Sequence, residues 1–237
     1  MMLDRREIAA VFLDAVGTLF EVRGSVGEIY SRFAGLHGVK AEPSELEKAF
    51  TRSFRSQPPL VFPARTGEHE LKSLEFNWWR ALVREVFAGF DFPHFDQFFA
   101  EVFEFFRTED AWRLFDDVLP ALEWLKHRGL RLAVISNFDS RIDDLLEGLG
   151  LDPYFDAVFI STRVGAAKPD PLIFRAALNH FQLEPDQTLH IGDNLREDVE
   201  GAKAAGIEPI LLDRNDRFAD NPRVWRIVSL DQLYCIS

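Results

Sequence analysis

Only one cysteine, two methionines and three tyrosines occur in the 237 residues of this chain. The single thiol, Cys235, excludes an internal disulfide and suits a reducing cytoplasm, the expected compartment. It stands near the C-terminus with no activating neighbour in sequence, so it reads as an ordinary side chain. No apolar run reaches the ~20 residues that a membrane-spanning helix needs. The opening MMLDRREIAA carries charges of both signs and no long apolar stretch, so it is not expected to be a signal peptide. Basic residues are scarce as well: 27 Lys and Arg against 39 Asp and Glu leave a net charge of −12. That balance argues against nucleic acid, whose backbone calls for a positive footprint. It leaves room for a small anionic metabolite, because a site can be locally positive or hold a cation. Repeats and low-complexity tracts are absent.

What is present is an ordinary globular composition, 47% hydrophobic and 28% charged, in a length that suits one large domain or a domain with an insert. Five short apolar runs read as buried strands: AAVFLD (9–14), LRLAVIS (130–136), DAVFI (156–160), TLHIGD (188–193) and EPILLD (208–213). Helical patterns lie between them, at Val118–Arg128, Arg141–Leu149, Pro171–His180 and Leu195–Ala205. Strands alternating with helices predict an α/β fold with a parallel sheet flanked by helices. A last strand and short helix are expected after Asp213.

Residues 21–105 break this rhythm and read as helices alone. The pattern SVGEIYSRFAGLHG (25–38), then 44–54, 71–87 and 95–106, repeats apolar residues at helical spacing. This predicts a helical cap (21–105) inserted into a core made of residues 1–20 and 106–237. Its aromatics read first as core, and a Phe-rich helix can also serve as a homodimer face. Of Trp78 and Trp79, one is expected in the core and the other at a pocket or a dimer contact.

In open parallel sheets, ligands bind beyond the carboxyl ends of the strands. The first strand delivers Asp14 there, the second Ser136 and Asn137, and the loop GAAKPDP after the third delivers Lys168. The TLHIGD strand ends at Asp193, followed by Asn194 and, one helical turn on, Asp198. Taken singly, each could be a turn residue, a helix cap or a solvated side chain. Their coincidence at one edge suggests a phosphate and metal site. Asp14 and Asp193 offer hard oxygens for Mg²⁺, Asp14 is a candidate nucleophile, and Lys168 is a countercharge for it and for a transferring group. Ser136 and the backbone around Asn137 can bond phosphate oxygens. The Gly17 turn lets backbone approach a ligand closely. His190 reads as a satisfied strand histidine. Pro169 and Pro171 stiffen the Lys168 loop, and Asp170 is a candidate cap for the helix that follows.

DAVGTLF (14–20), VISN (134–137), KPDPLIF (168–174) and HIGDNLREDVEGAKAAG (190–206) resemble the four ordered motifs of the haloacid dehalogenase superfamily, over about Val11 to Leu212. The resemblance implies a Rossmann-like core with an inserted helical cap that selects substrate. It implies Asp14 and Lys168 as catalytic residues, and Thr18, Ser136, Asn137 and Lys168 at the phosphate. It also implies Mg²⁺ held by Asp14, the Val16 carbonyl and Asp193, with Asp198 and Asn194 in support.

One position departs from the family's phosphatases. They carry a second Asp two residues after the nucleophile, which protonates the leaving oxygen and activates water. Here that residue is Val16, and such acid–base help contributes typically about 10²–10⁴-fold in rate. The leading expectation is therefore a Mg²⁺-dependent phosphatase-type hydrolase, slow or specialised. A 2-haloacid dehalogenase is the alternative favoured by DAVGTLF, because halide leaves without a proton. Those enzymes dispense with Mg²⁺ and lack the Gly–Asp pair present here as Gly192-Asp193. Their cap arginine has only rough counterparts in Arg32, Arg52 and Arg55. A non-catalytic member that binds a phosphoester or a partner protein is the third reading.

Overall fold

The computed structural model describes residues 8–219 and 224–235. The opening segment MMLDRRE and the side chain of Cys235 lie outside the described residues.

The five apolar runs form strands β1 (Ala10–Leu13), β4 (Arg131–Ser136), β5 (Ala157–Ile160), β6 (Thr188–Gly192) and β7 (Glu208–Leu212). With β8 (Trp225–Ile227) they make a parallel six-stranded sheet in the order β5-β4-β1-β6-β7-β8. Both faces are covered, which is why these strands read as continuous apolar runs. Alternate residues serve opposite cores. Val11, Leu13, Leu132 and Val134 pack on α5 (Val118–His127) and α6 (Ile142–Gly148). Ala10, Phe12, Ala133 and Ile135 pack on α8 (Pro171–Phe181) and α9 (Gly201–Ala204). Asp170 does cap α8, its Oδ1 accepting from the Leu172 N–H at 2.9 Å. A short helix, α7 (Ser161–Val164), follows β5.

Residues between Gly24 and Phe106 form α1 (Val26–Leu36), α2 (Pro43–Ser56), α3 (Glu68–Val86) and α4 (Phe95–Phe105). They enclose an apolar centre of their own, in which Phe98 and Phe99 are fully buried among Tyr30, Leu82, Phe87 and Phe95. A two-stranded antiparallel ribbon, β2 (Phe20–Val22) with β3 (Trp112–Leu114), frames this helical segment where the chain leaves and re-enters the sheet layer. The ribbon has no signature in the sequence, because three-residue strands are too short to show alternation.

A buried polar clasp ties the helices to the sheet. The Trp79 indole N–H donates to Asp139 Oδ2 at 2.6 Å. Arg141 grips the same carboxylate from Nε at 2.8 Å and Nη2 at 2.7 Å, and Nη1 donates to the Phe103 carbonyl. Glu75, also buried, accepts from the backbone N–H and hydroxyl of Ser140, each at 3.0 Å. Trp79 is thus the tryptophan at the interlayer contact, whereas the Trp78 N–H reaches the Pro58 carbonyl.

The Arg141 guanidinium and the Trp79 N–H hold the Asp139 carboxyl below its usual range, overcoming its burial. A lowered folded-state value adds stability that is present above the unfolded-state value of about 3.9 and is lost as pH falls through the folded one. Asp139→Asn should therefore cost about 3–5 kcal/mol at neutral pH, as expected for breaking a buried pair. It should also flatten the loss of stability below about pH 4. Urea denaturation across pH checks both; an unchanged acid limb would contradict the assignment.

Candidate active site

β1 delivers Asp14 to the carboxyl edge of the sheet, where its N–H is held by the Ile191 carbonyl at 2.9 Å. β6 delivers Asp193 beside it. The next turn, Leu195–Glu200, is π-helical rather than the regular α-helix expected over 195–205. Both Asp198 and Val199 donate their N–H to the Asn194 carbonyl. This wide turn brings the Asp198 carboxylate back under the strand, where it accepts from the Asn194 N–H at 3.0 Å. Such turns recur at functional sites.

The Lys168 ammonium lies between two of these acids. It donates to Asp14 Oδ1 at 2.5 Å and to Asp198 Oδ1 at 2.7 Å, with all three side chains buried. Asn137 fixes the lysine's backbone at two points, accepting from its N–H at 2.7 Å and donating to its carbonyl at 3.0 Å. The same amide nitrogen donates to Glu197 at 3.1 Å. His190 Nε2 lies 2.9 Å from Asp198 Oδ1, so the strand histidine supports the acid that supports the lysine.

The acids share unequally in this field. Lys168 and His190 draw Asp198 well below the usual carboxylate range, despite its burial. Burial and the charge of Asp198 hold Asp14 above its ordinary value, even with Lys168 in contact. Asp193 is pushed up to about 7 by burial and by its two acidic neighbours. Carboxylate oxygens of Asp14, Asp193 and Asp198 come within 4.8 Å of one another, against a single ammonium. Crowded hard oxygens with excess negative charge fit a divalent cation such as Mg²⁺. The Val16 carbonyl, which no donor among the described residues engages, stands in the same turn.

Two glycines permit this crowding. A Cβ on Gly17, at φ +88°, would lie 2.6 Å from Asp193 Oδ2. One on Gly192 would lie 2.1 Å from Asp198 Cγ.

Of the residues singled out in sequence, Asp14, Asn137, Lys168, Asp193, Asn194 and Asp198 come together. Ser136 ends β4, buried at the same edge. Thr18 is fully buried and its hydroxyl has no partner, while its carbonyl accepts from Arg214. The hydroxyls of Ser136 and Thr18 make no hydrogen bond to the acidic cluster among the described residues. Arg32 lies over the Phe33 and Phe105 rings. Arg52 and Arg55 line a groove along α2 that contains none of the cluster. Glu197 and Arg217, whose Nη2 is 4.0 Å from Asp193, were not singled out by sequence. For Glu197 the only signal was its place next to Asp198. A separate cleft of about 480 Å³ lies between α3 and helices α6 and α7. Its lining contains none of the clustered acids, and its cations are paired, Arg163 with Asp143, Arg107 with Asp144 and Lys72 with Glu68.

A Rossmann-like parallel sheet with an acid, an ammonium and two further acids at its carboxyl edge defines a class of hydrolytic fold, and comparison with known proteins agrees. The family model for haloacid dehalogenase-like hydrolases matches residues 8–206, and the chain belongs to that family. It is 37% identical to human haloacid dehalogenase-like hydrolase domain-containing protein 3, over 89% of this chain and 84% of that one. It is 31% identical to a phosphoserine phosphatase of Thermus thermophilus, over 89% and 90%. Among solved structures, a HAD phosphatase from Thermococcus onnurineus aligns with a TM-score of 0.69 at 24% identity, over 96% and 97%. A 2-haloacid dehalogenase from Pseudomonas syringae aligns at 0.67 and 24%, over 97% of each. At that identity the two structures speak to the fold alone.

Removing the lysine charge should expose how much it holds together. Lys168→Met leaves two buried carboxylates facing each other and should cost about 3–5 kcal/mol in urea denaturation at neutral pH. Adding Asp14→Asn should restore part of that loss, because the two changes share one interaction. Strictly additive losses would mean that Asp14 and Lys168 are not coupled.

Proposed function

We propose that this chain is a Mg²⁺-dependent phosphatase-type hydrolase that acts on a small phosphorylated metabolite through Asp14. The observation that carries this reading is the shared edge on which Asp14, Lys168 and Asp193 meet, with an acid cluster fit for a cation. The retained Asp193 favours it over a dehalogenase, for which a bound cation beside the nucleophile would blunt attack on carbon.

Asp14, Asp193 and the Val16 carbonyl would hold the Mg²⁺, which when bound supplies positive charge to the transferring phosphoryl group. Lys168 fixes Asp14 by its Oδ1, leaving Oδ2 to attack phosphorus. As the new O–P bond forms, the bond to the leaving oxygen breaks and its electron pair departs with that oxygen. Water then attacks phosphorus, releasing inorganic phosphate and restoring the Asp14 carboxylate. Lys168, Ser136 and the backbone N–H groups near Asn137 supply donors to the phosphoryl oxygens. Val16, which is 38% exposed beside the nucleophile, brings no proton to the leaving group. Substrates that depart as stable anions, such as aryl or acyl phosphates, are therefore favoured. In this reading residues 21–105 act as a cap over the core formed by 1–20 and 106–237, and the clasp at Asp139 sets the cap's position.

Hydrolysis of p-nitrophenyl phosphate tests this, because its leaving group needs little protonation. Turnover should require Mg²⁺ and vanish in Asp14→Asn. Val16→Asp should raise turnover of alkyl phosphates, by up to the ~10²-fold or more that acid–base help supplies. No turnover in the native protein or in Val16→Asp would overturn the reading. Chloride release from 2-chloropropionate without Mg²⁺ would put a dehalogenase in its place.

A further inference from the structure

We propose that Arg217 is a specificity-determining residue that binds a second anionic group of the substrate, a carboxylate carried on the leaving-group side. The preferred substrates would then be phosphorylated carboxylic acids. The inference rests on the phosphatase reading of the Asp14 site and goes beyond it.

The loop that carries Arg217 is built, although it lies at the surface. Asp213 directly follows β7 and is fully buried. Its Oδ1 accepts from the Arg217 N–H at 2.9 Å, and its Oδ2 accepts from the Phe218 N–H at 2.8 Å and from Arg226 Nη1 at 2.9 Å. Asp216 takes a left-handed conformation, φ 53°, and also pairs with Arg226 at 2.5 Å. One buried carboxylate thus fixes the backbone on both sides of the Arg217 side chain.

The direction follows from strand order. Asp14 directly follows β1, Asp193 directly follows the adjacent β6, and the Arg217 loop follows β7 one strand further. At about 4.8 Å per strand, that loop begins ~10 Å from the nucleophile's strand. Arg217 spans part of this gap and brings Nη2 to 4.0 Å from Asp193. Ser136, Asn137 and Lys168 serve the opposite flank, on β4 and after β5. Arg217 therefore faces a group displaced from phosphorus toward β7.

The charges point the same way. The Lys168 side chain is 1% exposed, with two of its three N–H groups held by Asp14 and Asp198 and the third left for the phosphoryl group, so it does not reach a second anion. The Arg217 side chain is 55% exposed, and its contact to Asp193 is long. Exposed pairs of this kind contribute little to stability, so little is lost when the guanidinium turns to a ligand. Its planar fork matches a carboxylate in a bidentate fashion, which an ammonium cannot do.

Non-hydrolysable probes separate this idea from catalysis. Phosphonoacetate carries a phosphonate and a carboxylate, and ethylphosphonate carries the phosphonate alone. Calorimetry with Mg²⁺ present should show the native protein preferring phosphonoacetate by about tenfold or more, as expected for a charge-assisted bidentate pair. Arg217→Ala should abolish that preference, and Arg217→Lys should restore it only in part. The readout is the ratio of the two probe affinities rather than either affinity alone, because Arg217 lies 4.0 Å from Asp193 and its removal alters the charge beside the cation site for both probes alike. No preference in the native protein, or one that survives Arg217→Ala, overturns the proposal. A preference that depends on Arg217 in a protein with no phosphatase turnover would remove the hydrolase reading and leave the anion site standing.

Discussion

The buried Lys168 ammonium, held between Asp14 and Asp198, is the interaction on which the rest of this edge depends. Three elements far apart in sequence contribute to it: the end of β1, the loop after α7 and the π turn after β6. Each charge would be expensive to bury alone, and together they are tolerable only in this arrangement. The surrounding polar groups serve to keep it so. Asn137 holds the lysine's backbone, His190 and the Asn194 N–H hold Asp198, and the Ile191 carbonyl holds Asp14. One buried ammonium faces three carboxylates, and Arg217 reaches only to 4.0 Å from one of them, so the crowded oxygens are suited to a cation.

The same loop that orients Lys168 also joins the two layers. Asn137 grips the lysine, and two residues later Asp139 is gripped by Arg141 and Trp79. Between them they link α3 and the acidic edge through a few residues of chain. The clasp is polar and, but for the half-buried Trp79, buried, so it has essentially one geometry in which all its groups are satisfied. An apolar contact of the same area would tolerate sliding. The clasp therefore holds α3 in one position against the loop that follows β4.

Much of this was legible in the chain. Buried parallel strands announce themselves as short apolar runs, and the five runs fall within a residue or two of the observed strands. The four insert helices carry strong apolar periodicity, and each formed. Asp14 and Asp193 were legible because they stand where apolar runs stop, the place in such a sheet where a charge has both support and access, whereas Lys168 and Asp198 were legible only as charges in the segments that follow later strands. The β2–β3 ribbon was not legible, since its strands are too short to carry a pattern. Nor was the π turn: its residues favour a helix of some kind, and only the pull of Lys168 and Asn194 on Asp198 widens it.

By itself, then, the sequence determined the α/β class, the order of strands and helices, the helical insert and the residues at the strand ends. Those features rest on local periodicity and on where polarity interrupts it, which neighbouring residues encode. Tertiary structure alone decided which of those residues meet, that Thr18 turns inward, that Trp79 rather than Trp78 bridges the layers, and that Arg217 reaches Asp193. These outcomes depend on contacts between segments tens to hundreds of residues apart, and no local pattern records a distance of that kind.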